Sequence, residues 1–238
     1  MKRIFLAVIL VGVWVVPVQA APSPSIAVID TGTNPALFKD SITTEACFVE
    51  YGTCPNGSQN MEGAGASALP SNSKAALDHG TQMLSIINKV NPNAKLIPIR
   101  IVGVLPSGSP YIYTLESVRR ALDWVITNRE KYNIAVVNIS QGKVFPDCKV
   151  PTGMIQQIAT LKSFNVAVIS ATGNDGNRTA VNSPACIPDV VSVGATDNPD
   201  SGTKGIAYDK KATPVIARYS NGWSQTDFYL NGRWYVTN

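Results

Sequence analysis

The sequence predicts an α/β fold in which a doubly wound, mostly parallel sheet carries helices on both faces. Its 238 residues suffice for one large domain with a sizeable core, and 45% of them are apolar against 15% charged. Several short runs are mainly apolar on both sides instead of alternating, as expected of parallel strands that are covered on both faces. Segments with helical spacing lie between these runs, and this alternation predicts a parallel sheet with right-handed crossovers.

Five runs are predicted as strands because each is short, rich in valine and isoleucine, and apolar on both sides. Each is expected to be buried on both faces of the sheet. They are residues 25–29 (SIAVI), 95–102 (KLIPIRIV), 134–139 (IAVVNI), 165–171 (NVAVISA) and 189–195 (DVVSVGA).

Three segments have the spacing of helices: residues 79–88, 114–128 and 151–164. Thr114 is a candidate N-cap for the second. The buried stripe of the second helix is predicted to be Leu115, Val118, Leu122, Val125 and Ile126. That of the third is Met154, Ile155, Ile158 and Leu161.

Residues 53–76 are rich in Gly, Ser, Asn and Pro and are predicted as a surface loop. The loop contains GAGASA, a nominal dinucleotide-binding fingerprint. No predicted strand leads into it, so it is not interpreted as a nucleotide site.

The first twenty residues have the pattern of a secretory signal peptide. Lys2 and Arg3 precede 13 uncharged, mostly apolar residues, and a small-residue site ends at Ala20. A membrane anchor is the alternative, but 13 residues are short for about 30 Å of hydrocarbon. We therefore expect a signal peptide over residues 1–20, a mature domain over residues 21–238, and secretion to the cell exterior or the periplasm.

The charge balance excludes some classes of partner. Removing residues 1–20 takes away two cations and no acid, so the formal net charge falls from +4 to about +2. Neither a nucleic acid nor an anionic membrane is expected as a partner of so nearly neutral a chain.

Because exported proteins fold in oxidising compartments, the four cysteines are interpreted as two disulfides. Cys47 and Cys54 are close enough in sequence to close a small loop, which leaves Cys148 to pair with Cys186. Three pairings are formally possible, and spacing alone does not choose among them. A metal site is the weaker interpretation, because the chain has one histidine and no Cys-x-x-Cys pair.

Asp30, in the stretch SIAVIDTGTNP, has three possible roles. Two Asp-Thr-Gly loops form the site of aspartic proteases, but those enzymes are built of β-strands, against the alternation seen here. Asp-Thr-Gly also forms turns at strand ends, since the carboxylate bonds nearby backbone N–H groups. The third role is catalytic.

The catalytic role rests on the residues at the carboxyl ends of the other strands. Ligands of open α/β sheets collect at these ends. Asp30 comes after the first run, and His79 begins a predicted helix. Acyl-transfer enzymes use three such groups: a carboxylate that orients an imidazole, the imidazole as general base, and an amide that donates to the oxyanion. The other residues just after strands are Ser140, Gly142 and Asn174.

These motifs resemble those of the subtilisin-like serine proteases, the subtilase family. AVIDTGTN resembles the family's aspartate motif, DHGTQMLSII its histidine motif, and VVNISQG its substrate-binding strand. VAVISATGNDG resembles the oxyanion segment, and NSPACIPDVVSVGATD with ARYSNG the strands after it. The segments occur in family order over residues 25–222, and together they are far more specific than any one alone.

The resemblance implies a role for each matched residue. Asp30 would orient His79, His79 would be the general base and acid, and Asn174 would donate to the oxyanion. Ser140, Gln141 and Gly142 would pair with an extended polypeptide substrate. Ala171, Thr172 and Gly173 would line the pocket for the residue before the scissile bond.

The family's nucleophile motif, Gly-Thr-Ser-x-Ala, does not occur in the sequence. In subtilisin roughly 65 residues separate the oxyanion amide from the serine, which puts the serine at about position 239 here. The prediction is therefore a subtilisin-like domain that is incomplete at its C-terminus and inactive by itself. Ser183, Ser192, Ser201, Ser220 and Ser224 are not convincing substitutes.

Two functional classes remain open. The first is the front part of a serine endopeptidase, and the second is a non-catalytic relative that binds peptides. Packing favours the first class. In the family a helix follows the serine and covers a central part of the sheet, and without that helix apolar strand surface would face water. The resemblance implies no cofactor. Members of the family often bind Ca²⁺ in surface loops, yet the acidic residues are too scattered here to assign a site.

Overall fold

A computed structural model describes residues 23–111, 114–143, 148–197, 215–217, 219–222 and 226–231. The predicted signal peptide lies outside the described residues. The helices within them are α1 (His79–Val90), α2 (Leu115–Asn128) and α3 (Thr152–Ser163). The strands are β1 (Ser25–Asp30), β2 (Ala46–Phe48), β3 (Asn60–Glu62), β4 (Lys95–Arg100), β5 (Ile134–Ile139), β6 (Ala167–Ala171), β7 (Val191–Asp197), β8 (Val215–Ile216) and β9 (Phe228–Asn231).

The described strands form one sheet in the order β3-β2-β4-β1-β5-β6-β7-β8, and β9 also pairs with β7. Every pairing is parallel except those of β3 with β2 and of β8 with β7. The chain extends the sheet from β1 to β4 on one side, then returns to add β5 on the other. The strand order thus reverses at β1, whose carboxyl end is where such sheets bind ligands.

Helices cover both faces of the sheet, which confirms the predicted α/β class. On one face, α2 packs on β1 and β2 and α3 packs on β6, and Ile29, Ile97 and Val137 are fully buried there. On the other face, Leu84 of α1 packs on Val28 and Leu96. The buried helical residues on the first face are Leu115, Val118, Leu122, Val125, Met154, Ile158 and Leu161.

One buried position of the helix predictions was wrong, and the predicted N-cap has the right position but makes no capping hydrogen bond. Ile155 is 46% exposed, and Gln157 is buried in its place, where its amide donates to the carbonyl of Arg119 at 3.0 Å. Thr114 stands at the N-cap of α2 with extended backbone, but its hydroxyl donates to the Glu50 carboxylate rather than capping the helix.

The predicted surface loop over residues 53–76 is partly structured and buried. It contains β3, and both Ala66 and Ser67 are fully buried. The buried carboxylate of Glu45 accounts for this, since its oxygens accept from Gly65 N at 2.7 Å, Ser67 N at 3.1 Å and Ser67 Oγ at 2.6 Å. The Glu45 carboxylate therefore holds this turn-rich segment against the rest of the domain.

Of the three possible pairings of the cysteines, the structure has Cys47 with Cys54 and Cys148 with Cys186. The second lies beside a short bridge in which Lys143 N donates to Ser183 O at 3.1 Å and Ser183 N donates to Lys143 O at 2.9 Å. Ser183 Oγ is 3.3 Å from Cys186 Sγ. This disulfide therefore braces the segment that comes after β5.

The expectation that every strand is buried on both faces was wrong for one side of β5, β6 and β7. The strand register places Val136, Ile169 and Val193 on the α1 face of the sheet, and all three are only half-buried. Phe228 of β9, which pairs with Val193, is 57% exposed. Helix α1 covers β1 and β4, so covering this apolar surface requires a segment other than the described ones.

Candidate active site

Asp30 and His79 meet at the carboxyl end of β1. Asp30 ends the strand and is 2% exposed, while His79 begins α1. The distance from His79 Nδ1 to Asp30 Oδ1 is 2.8 Å. The carboxylate thus holds the imidazole from the Nδ1 side, which leaves Nε2 directed away from this contact.

Thr31 and Gly80 fix the approach of helix to strand. Thr31 Oγ1 donates to Leu77 O at 2.7 Å and accepts from Gly80 N at 2.9 Å. A Cβ at Gly80 would lie 2.1 Å from Gly32 O, closer than any side chain permits. The glycine after His79 is therefore required for α1 to start against the end of β1.

Asp30 raises the pKa of His79 above its ordinary 6.5, because its hydrogen bond and its negative charge stabilise the imidazolium. Partial burial opposes this effect without reversing it. The contribution of the pair to stability is therefore complete below pH 6.5 and is lost as the pH rises through the folded-state pKa.

A single resonance tests this shift, because His79 is the only histidine in the sequence. In an NMR titration of the chain carrying an affinity tag without histidine, we expect His79 to titrate above 6.5. The variant Asp30→Asn should bring the pKa down to 6.5 or lower, since the carboxylate is lost while the burial remains. A wild-type pKa at or below 6.5 would contradict the geometry.

A cleft of about 490 Å³ opens beside His79. Two of the three residues predicted to pair with substrate, Gln141 and Gly142, line it, while Ser140 is half-buried and its Oγ accepts from Asn138 Nδ2 at 3.0 Å. Another part of the lining was not predicted from the sequence, because Pro110 and Tyr111 lie in an irregular loop without a motif and Val102, predicted to end a strand, lies past the end of β4.

Asn174 lies in the loop after β6, and its side chain is exposed. Gly173 before it has a φ of +106° and lies tightly against two asparagine amides. Thr172 differs from the prediction, because it is buried and its hydroxyl donates to Asn221 O at 2.8 Å instead of facing a pocket. Ala171 and Gly173 are half-buried, and neither lines the cleft beside His79.

Asn221, which the sequence prediction missed, organises the loop that carries Asn174. Its fully buried Oδ1 accepts from Asp175 N at 3.0 Å and Asn177 N at 2.9 Å. Its Nδ2 donates to Asp175 Oδ2 at 2.9 Å and Asn182 Oδ1 at 3.1 Å, and its backbone N donates to Gly173 O at 2.9 Å. The residues on both sides of Asn174 are therefore fixed by one residue, Gly173 through the backbone of Asn221 and Asp175 through its side chain.

Replacing Asn221 by alanine is expected to lower the free energy of unfolding by about 1 to 3 kcal/mol, because several buried partners lose their bonds. Urea unfolding measures the change, with exposed Asn93→Ala as the matched control. Equal stability of the two variants would show that Asn221 does not hold the loop.

The described serines after β6 form hydrogen bonds with groups other than His79. Ser192 Oγ lies 3.2 Å from Asp227 Oδ2, and Ser220 Oγ donates to Asn221 O at 2.9 Å. Both are buried, as is Ser183 beside Cys186. The positions of Ser201 and Ser224 lie outside the described residues.

Over the ranges that the structure describes, no three His, Cys, Asp or Glu side chains are grouped so as to hold a metal ion. None of the described helices is long and apolar enough to span a bilayer.

Comparisons with known proteins agree with this geometry. The model of the subtilase family of peptidases matches residues 22–234. Subtilisin Savinase of Lederbergia lenta is 29% identical over 174 residues, 72% of this chain and 55% of that protein. The minor extracellular protease Epr of Bacillus subtilis is 26% identical over 194 residues, 75% of this chain and 28% of that protein.

Among solved structures, that of proteases from Pseudoalteromonas arctica matches with a TM-score of 0.64 at 22% identity. The match covers 88% of this chain and 62% of that one, and it confirms the fold. The chain spans between 28% and 55% of the length of curated relatives such as the two above.

Proposed function

This chain belongs to the subtilase family, and we propose that the whole protein is a secreted serine endopeptidase whose base and orienting carboxylate are His79 and Asp30. The observation that carries the proposal is the 2.8 Å contact between His79 Nδ1 and the buried Asp30 Oδ1 at the strand where the sheet order reverses. A proton on Nδ1 leaves the Nε2 lone pair to accept a proton from a serine hydroxyl.

The reaction is acyl transfer in two steps. His79 Nε2 takes the serine proton as the serine oxygen attacks the scissile carbonyl carbon, and Asp30 stabilises the imidazolium. Asn174 donates to the oxyanion, the imidazolium protonates the leaving amine, and the peptide C–N bond breaks. Water then attacks the acyl-enzyme with His79 again as base, which releases the carboxylic acid and regenerates the serine.

The substrate proposed is an extended polypeptide that pairs with residues 140–142 as an added strand. Gln141 and Gly142 line the cleft beside His79, so a strand bound there would run past the imidazole. Secretion is supported by the signal-like residues 1–20 and by the two disulfides.

The nucleophile is proposed to be a serine that the described residues do not supply. The described serines after β6 are buried and bonded elsewhere, and the half-covered α1 face of β5 to β7 offers apolar surface on which a further helix would pack. The same observations support the second candidate, a peptide-binding relative without catalysis.

Casein hydrolysis distinguishes the two. The protein expressed from its natural gene is expected to hydrolyse casein, and its His79→Ala variant to be inactive. Residues 21–238 alone should bind but not cleave peptides. Hydrolysis by purified residues 21–238 would show that the chain already holds its nucleophile, and an inactive whole protein would leave only the binding function.

A further inference from the structure

Gln141 contacts both members of the Asp30–His79 pair. Its Nε2 lies 3.2 Å from Asp30 Oδ1 and 3.1 Å from His79 Nδ1. A residue whose backbone alone served substrate binding would not need these contacts. We propose that Gln141 is a positioning residue that shares Asp30 Oδ1 with His79 and thereby sets the tautomer and basicity of the imidazole. This inference deepens the proposed function and rests on it.

Three donors converge on one oxygen. Asp30 Oδ1 is 2.7 Å from Thr31 N, 2.8 Å from His79 Nδ1 and 3.2 Å from Gln141 Nε2. Asp30 Oδ2 is buried and has no hydrogen-bond partner among the described residues. Because an oxygen that already accepts two short bonds is a poorer acceptor for a third, the glutamine and the histidine compete for Oδ1.

The competition allows two proton arrangements. When Gln141 donates to Asp30, His79 Nδ1–H also donates to Asp30, and Nε2 is free to act as a base. When Gln141 donates to His79 Nδ1 instead, the ring proton must reside on Nε2, and that tautomer accepts no proton from a hydroxyl. The short contact to Asp30 favours the first arrangement, and Gln141 determines how strongly.

The amide also affects the basicity of His79. Its hydrogen bond withdraws electron density from Asp30 Oδ1. Its N–H groups also carry partial positive charge, and Gln141 Nε2 is 3.1 Å from His79 Nδ1. Both effects destabilise the imidazolium and oppose the rise that Asp30 causes. Among the described residues, the other titratable side chains around the pair are those of Asp78, which precedes His79, of Tyr111 and Lys143, which line the same cleft, and of the buried Arg100, which is in register with Asp30 on β4. Substitutions at Gln141 change none of them.

The test is an NMR titration of ¹⁵N-histidine in the 238-residue chain, in which His79 gives the sole imidazole signals. Gln141→Met keeps the bulk and removes the donors, and we expect the His79 pKa to rise by about half a pH unit. Gln141→Glu adds negative charge and should raise it by about one unit. Exposed Gln156→Met is the matched control and should change nothing.

The ¹⁵N shifts of the neutral ring report the tautomer directly, and Gln141→Met should increase the Nδ1–H fraction. If both Gln141 variants titrate within about 0.1 unit of wild type with unchanged nitrogen shifts, the proposal is wrong. Should Gln141→Met fail to fold, Gln141→Glu decides alone.

Kinetics of the whole protein separate positioning from substrate binding. Positioning predicts that the acidic limb of the kcat/KM profile moves with the His79 pKa in Gln141→Met, while KM stays the same. A change confined to KM would assign the Gln141 side chain to the substrate and overturn the proposal. The titration needs no nucleophile, so shifted pKa values in an inactive whole protein would refute the proposed endopeptidase and not the Gln141 contact.

Discussion

Replacing Asp30 by asparagine is expected to lower kcat of the whole protein by about 10⁴-fold with little change in KM. The asparagine amide would donate to His79 Nδ1, where the carboxylate accepts. The ring proton would then reside on Nε2, and the imidazole would be unable to take the serine proton.

The measurement is steady-state hydrolysis of a peptide substrate by the whole protein and its Asp30→Asn variant. Exposed Asp40→Asn is the matched control and should keep full activity. Because Asp30 is buried, its replacement can affect folding, and circular dichroism is used to check that the variant folds. A loss smaller than about tenfold would remove Asp30 from the mechanism.

Replacing Asn174 by alanine is expected to lower kcat by about 10²- to 10³-fold, again with KM nearly unchanged. The amide would contribute only when negative charge develops on the carbonyl oxygen, so its loss affects the transition state and not substrate binding. Asn93→Ala serves as the exposed control.

The Asn174→Ala variant should keep the stability of the wild-type protein, because the side chain of Asn174 is exposed and the loop is held by Asn221. Activity loss without stability loss thus distinguishes Asn174 from Asn221. An increase in KM at constant kcat would indicate a contact with the ground-state substrate instead.

The elements that were predicted from the sequence are those whose burial produces a long run of apolar residues in the sequence. β1, β4, β5, β6 and β7 lie in or beside the core, so most of their positions are apolar. The short strands β2, β3, β8 and β9 have two to four residues each and depend on pairing with distant partners. No local periodicity marks such strands.

The Asp30–His79 contact was predictable because both residues stand in motifs and the carboxyl ends of parallel strands meet. The side-chain roles of Gln141 and Asn221 were not, because no motif assigns a role to either side chain and their partners lie 39 or more residues away. The buried Thr172 shows the same limit, since its motif gives the chain position but not the direction of the hydroxyl.

Labelling with a fluorophosphonate, combined with mapping of the labelled peptide, tests most directly whether Asp30 and His79 activate a serine. In the protein expressed from its natural gene, we expect one labelled serine outside the described residues, and no labelling in His79→Ala. Absence of labelling in the wild-type protein, or labelling that persists in His79→Ala, would contradict the proposed mechanism.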